Sequence, residues 1–148
     1  MSSKDWFLLG HFEFLSQLEK YREANREVKR KLGADSVHTQ QAQRLKALTL
    51  ATWTRIPSDP SNPEFRLGNA LGKEHSHWFR DKFLQQFRIF FRYSSKSEII
   101  AYGWVNDDET LRAYGSKSDA YLVFKRMLES GRVPNNWDEL IAESKRLS

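Results

Sequence analysis

The segment HWFRDKFLQQFRIFFRY, residues 77–93, decides how the chain folds, because its charges keep the two-residue period of a β-strand. From Phe87 to Tyr93, the side chains of Arg88, Phe90 and Arg92 point one way, and those of Phe87, Ile89, Phe91 and Tyr93 point the other. In the preceding run Trp78, Arg80 and Lys82 share a side, opposite Phe79, Asp81 and Phe83. One side reads as core and the other as a cationic surface. Whether the two basic sets lie together depends on the turn. A three-residue loop, Leu84 to Gln86, sets Phe83 opposite Phe87 and Lys82 opposite Arg88, and every cation then emerges on one side. A loop of two or four residues sets Phe83 opposite Arg88 and mixes the faces. The first register keeps the aromatic rings together and is the one expected.

In that register Arg80, Lys82, Arg88 and Arg92 crowd into about two strand spacings of ~4.8 Å each. Like charges at that density repel, and Asp81 points away from them. A phosphate-bearing ligand is the simplest neutraliser. The bland alternative pairs these cations with carboxylates such as Glu64 or Asp107.

Outward from this hairpin, residues 98–105 form a third strand whose IIAYGWV is apolar on both sides and belongs in the sheet interior. The short connectors favour an antiparallel meander of the three runs. Upstream, Phe14, Leu18, Tyr21, Val28 and Leu32 recur at helical spacing, so one amphipathic helix is expected from Asp5 to Leu32, stopped by Gly33. Asp35 or Ser36 would cap a second helix carrying Leu45, Leu48 and Ile56, ended by Pro57, and the two would form a helical hairpin. Its basic face, including Lys20, Arg26 and Arg30, reads as solvated surface. Residues 58–72, SDPSNPEFRLGNALG, read as a loop. Downstream, Ser118 would open a helix with Ala120, Phe124, Met127 and Leu128 on one side, closed by Gly131. Asn136 and Glu139 look like a capping box for a final helix through Leu147. Helices, then strands, then helices argue for one α+β domain over 1–148, with one sheet face covered and another partly open.

Composition narrows the chemistry. The chain has no cysteine, which rules out a disulfide, a thiolate nucleophile and a Cys-ligated zinc. Lys and Arg number 24 against 19 Asp and Glu, a net charge of +5 that favours an anionic partner. The apolar run at Trp6 to Leu9 is broken at His11 and Glu13, too soon for a signal peptide or a membrane span, so a cytoplasmic protein is expected. His75 and His77 lack a third ligand at metal spacing. Asp107 and Asp108 are adjacent and would face apart, so two-metal phosphodiester chemistry lacks its ligands. There is no nucleophile elbow and no glycine-rich phosphate loop. Neither metal nor cofactor is expected. Beyond the third strand, Asn106, Arg112, Tyr114 and Lys117 lie on the loop of residues 104–121, a place where functional groups are commonly mounted on a rigid scaffold.

At these stretches the chain resembles the YhaV toxin family. The likeness rests on NPEFRLGNALG (62–72), WFRDKF (78–83) and FRIFFRYSSKSEIIAYGWVNDDETLRAYGSKSDAY (87–121), and it is close from residue 60 to about 140. The wider shape is similar to RelE-type ribonuclease toxins. The resemblance implies a RelE-like fold and a metal-independent endoribonuclease that cleaves messenger RNA, free or on the ribosome, and arrests growth. It also implies a PrlF-like antitoxin and binding of the pair to promoter DNA. It marks Arg80, Lys82 and Arg88 as the catalytic basic set, with Arg112 and Tyr114 where such toxins carry an Arg and a Tyr near the C-terminus.

Internal cleavage of RNA requires the 2′-hydroxyl to lose a proton, the phosphorane charge to be neutralised and the 5′-oxygen to gain a proton as it leaves. The arginines suit the second task. The cationic crowd would favour loss of a proton from Lys82, making it the base, and an arginine or Tyr114 would return one. Trp78, Phe90 and Tyr114 are the rings expected to stack on bases, with Arg92, Asn106 and Lys117 as further RNA contacts. The rival readings are a non-catalytic RNA- or DNA-binding regulator built on the same face, and an interaction protein that works through its N-terminal helices.

Overall fold

A computed structural model describes residues 5–148, so the first four residues of the expected domain lie outside it. The hairpin forms in the expected register. β2 (Phe79–Phe83) and β3 (Phe87–Ser94) pair antiparallel with Phe83 opposite Phe87 and Lys82 opposite Arg88. The turn between them holds Leu84 and Gln85 at φ of 45° and 66°, left-handed values adopted without a glycine. β4 (Ile99–Val105) follows antiparallel to β3 and lies at the centre of the sheet, as its two apolar faces require.

Among the described residues the sheet has five strands, not three. β1 (Phe7–His11) pairs parallel to β4, Phe7 facing Ile99, and β5 (Ser144–Arg146) pairs antiparallel to β1, giving the order β2-β3-β4-β1-β5. The single long helix expected from Asp5 therefore begins later, as α1 (Phe12–Leu32), and His11 starts it by accepting the Glu13 N–H on Nδ1. Likewise the last helix, α5 (Trp137–Ala142), stops before Leu147 because the chain turns back to pair with β1. Asn136 does cap it, accepting the Glu139 N–H at 3.0 Å. Between α1 and α2 (Gln40–Leu50) a 3₁₀ turn occupies Gly33–His38, so the cap of α2 is Thr39 and not Asp35 or Ser36. After α2 the chain runs through a π-helical turn, Ala51–Arg55, into the short α3 (Ile56–Ser58). α4 (Ala120–Ser130) is capped by Asp119, one residue after the expected Ser118, and closed by Gly131 in the left-handed conformation.

Two cores flank the sheet. One joins Phe14 and Leu18 of α1 and Leu48 of α2 to Phe83, Phe87, Ile89 and Phe91. The other joins Trp78, Phe90, Ala101 and Trp104 to Phe124 and Leu128 of α4. The face expected to be wholly cationic is thus half core. A bulge makes this possible: Phe90 pairs with Trp104 and Phe91 with Tyr102, leaving Gly103 over, and a Cβ there would lie 2.7 Å from the Trp78 indole. Glycine lets Trp78 lie against the strand. This face opens beside the first turn of α4.

Candidate active site

Where β2 and β3 emerge from beneath the start of α4, a cleft of about 720 Å³ opens. β2 contributes Arg80 and Lys82, β3 contributes Arg88, the loop after β4 contributes Arg112 and Tyr114, and α4 contributes Tyr121 and Lys125. Among the described residues, five cations and one carboxylate, Asp119, line it.

Two of the guanidiniums, those of Arg80 and Arg88, are anchored by neutral oxygens. Arg80 donates from Nη1 to the main-chain carbonyls of Glu64 (2.8 Å) and Arg66 (3.1 Å), and Arg88 donates from Nη1 to those of Gln85 (2.6 Å) and Phe87 (2.9 Å). Both also donate from Nε to the Tyr121 hydroxyl, at 2.9 and 3.1 Å. Carbonyls and a phenol fix these groups without cancelling their charge. Glu64 does meet Arg80, but through its backbone, and Asp107 lies near Lys20 instead, so pairing of this cluster with those two carboxylates does not occur. Lys82 is exposed, and its ammonium group has no hydrogen-bond or ion-pair partner among the described residues.

Asp119 is buried and serves two elements at once. Its Oδ2 accepts the N–H groups of Tyr121 (3.1 Å) and Leu122 (3.4 Å), which starts α4, while its Oδ1 accepts Arg112 Nη1 at 2.6 Å and the Ala113 N–H at 2.8 Å. The same carboxylate therefore aims Arg112 and sets the helix that carries Tyr121. Arg112 lies 4.8 Å from the Tyr121 ring and 5.3 Å from that of Tyr114, and its backbone is tied to the β2–β3 turn through Gln86. Tyr114 is 93% exposed.

The five residues expected to be catalytic thus share one cleft, but most of the expected RNA contacts lie elsewhere. Trp78 and Phe90 have no exposed surface. Phe90 stacks on Phe124 at 4.3 Å and Trp78 meets the same ring edge-on at 5.0 Å, so neither face is open to a base. Asn106 is fully buried and is a clamp: it accepts the Arg88 N–H at 2.7 Å and donates to the carbonyls of Gln86 and Thr110. Arg92 points to the same side as Arg88 but lies between the Trp78 and Trp137 rings, donating to the Asn135 carbonyl at 2.8 Å, outside the cleft. Burial lowers its proton affinity. Lys117 is exposed beside the cleft and does not line it. His75 and His77 share the Asn135 side-chain oxygen with the Trp78 N–H, and no group of three or more His, Asp or Glu suited to a metal occurs among the described residues.

Sequence reasoning missed Asp119, Tyr121 and Lys125. A signal existed. Tyr121 and Lys125 stand one turn apart, immediately beside the apolar stripe of Ala120 and Phe124, behind an aspartate at the cap position.

Residues 8–145 match the family described as toxins with endonuclease activity, of toxin–antitoxin systems. The chain is also similar to the Ribonuclease toxin YhaV of Escherichia coli strain K12 and to Toxin YhaV of Escherichia coli O6:H1, each 47% identical over 91 residues. That segment covers 60% of this chain and 59% of each relative. No solved structure matches the chain. With the match running nearly from end to end of the described residues, the chain belongs to the YhaV toxin family.

Proposed function

We propose that this protein is the toxin of a toxin–antitoxin pair and that it cuts messenger RNA in the cleft between β2, β3 and α4, using amino-acid side chains alone. One observation carries the reading: Arg80, Arg88 and Lys82 face one cleft with no carboxylate paired to any of them among the described residues. Such a site lacks only a polyanion. The arginines hold the scissile phosphate and take up the charge that grows on its oxygens, where removal of one such donor typically lowers turnover by about 10²–10³. Lys82, in its neutral form, is suited to take the 2′-hydroxyl proton, and Tyr114, nearly all of it exposed, to stack on a base. Arg112 completes the phosphate clamp.

On this reading the architecture is RelE-like, with α1 and α2 as the helical hairpin behind the sheet. The protein works in the cytoplasm, held in check by a PrlF-like antitoxin with which it binds promoter DNA. No helix among the described residues is long and apolar enough to cross a membrane.

The test is to incubate the purified protein with messenger RNA, alone and with translating ribosomes, and to map new ends. Fresh 5′-hydroxyl ends are expected. Retarded RNA without new ends would establish the rival reading, a binder that does no chemistry.

A further inference from the structure

The phenol of Tyr121 lies where three guanidinium groups converge. Its oxygen accepts from Arg80 Nε at 2.9 Å and from Arg88 Nε at 3.1 Å, and its ring lies 4.8 Å from the Arg112 guanidinium. A tyrosine hydroxyl offers two lone pairs and one proton, and guanidinium nitrogens only donate. Both lone pairs are therefore occupied. The remaining proton has no acceptor among the described residues, and the side chain lines the cleft. Such a hydroxyl cannot accept a proton without giving up one of its arginines. It can release one, and the phenolate left behind is already in contact with two cations, so the new charge is met without rearrangement. The ring is held in place as well: Phe90 packs edge-on at 5.5 Å, and the Tyr121 N–H is bound by Asp119.

We propose that Tyr121 is the general acid of RNA cleavage, giving its proton to the leaving 5′-oxygen; this rests on the ribonuclease reading above. The 2′-oxygen bonds to phosphorus as its proton passes to Lys82. The bond between phosphorus and the 5′-oxygen breaks with its electron pair on that oxygen, and the Tyr121 hydroxyl proton moves onto it. The products are a 2′,3′-cyclic phosphate and a 5′-hydroxyl. Water then returns a proton to the phenolate, and Lys82 releases its own. Tyr114, which the sequence offered for this role beside an arginine, has no hydrogen bond fixing its hydroxyl among the described residues and is left to stack on the nucleobase.

The experiment uses an RNA oligonucleotide containing the cut site mapped with the unaltered protein, made with either oxygen or sulfur as the bridging 5′-atom. A thiolate leaves without a proton. Tyr121→Phe should slow cleavage of the oxygen substrate by about 100-fold or more and of the sulfur substrate by less than about threefold. Activity on sulfur also demonstrates that the variant is folded. Equal loss on both substrates would reduce Tyr121 to a positioning residue for the arginines, and no loss on either would remove it from the reaction; both results overturn the proposal. If the unaltered protein yields no cut site to map, the ribonuclease reading falls instead, and this inference with it.

Discussion

Arg88 and Arg92 stand on one strand, four residues apart, with side chains on the same side, yet their surroundings differ completely. Arg88, itself buried, lines a cleft in which a phenol and main-chain carbonyls hold it and no carboxylate among the described residues is paired with it. Arg92 is wedged between two indoles and spends its donor on the Asn135 carbonyl. The strand period decides which way a side chain points, and the element packed above decides what it finds there. Trp137 of α5 and Trp78 flank the half-buried Arg92, whereas Tyr121 of α4 lies against Arg88 in the wall of the cleft.

Three experiments bear on this contrast. The largest effect is expected from Arg88→Ala, or Arg80→Ala, which should lower RNA cleavage by about 10²–10³ and abolish growth inhibition while the protein still unfolds cooperatively. Retained toxicity in both variants would remove these residues from the site. Arg92→Ala should do the reverse. Losing the guanidinium between Trp78 and Trp137 and leaving a carbonyl unmet should destabilise the fold by about 1–3 kcal/mol, read from denaturant midpoints, with cleavage changed little. A large loss of cleavage at unchanged stability would reassign Arg92 to the substrate.

The smallest effect concerns His77, beside Arg92. Burial, followed by the Arg92 charge, lowers its folded pKa below the ordinary 6.5. Below that ordinary value the unfolded chain takes up a proton before the folded one does, so stability falls with acidification from about pH 6.5 down through the lowered folded value. His77→Gln should flatten this part of the stability profile between pH 7 and pH 5. Parallel profiles for the two proteins would show that the histidine is not responsible.

Much of the hairpin was legible in the sequence because Phe and Arg alternate there, and only a three-residue turn keeps the rings together. β1 was not. Leu8, Leu9, Gly10 and His11 are all buried, so the strand shows no alternation and merges with the apolar positions of α1. β5 carries no signal in Ser144, Lys145 or Arg146 and exists through its pairing with β1. Phe90 and Trp78 were correctly sided but wrongly taken as open, since period reports direction and not depth. Asn106 looked like a surface polar residue at a strand end, but three hydrogen bonds tie it into the interior. Tyr121 comes from 33 residues beyond Arg88, and nothing local links the two. Its place follows from the capping by Asp119, which only the tertiary arrangement brings under Arg112.

The parallel pairing of β1 with β4 has a consequence for how the protein is made. Phe7 waits for Ile99, and Leu9 for Arg146, while the meander from Phe79 to Val105 joins near neighbours. At a synthesis rate of about 5–20 residues per second, the greasy first strand stays without its β4 partner for roughly 5–20 seconds after it is made. Late-arriving contacts of this kind slow folding and leave sticky backbone exposed. The nascent chain is therefore at its most vulnerable to misassociation well before the basic cleft exists.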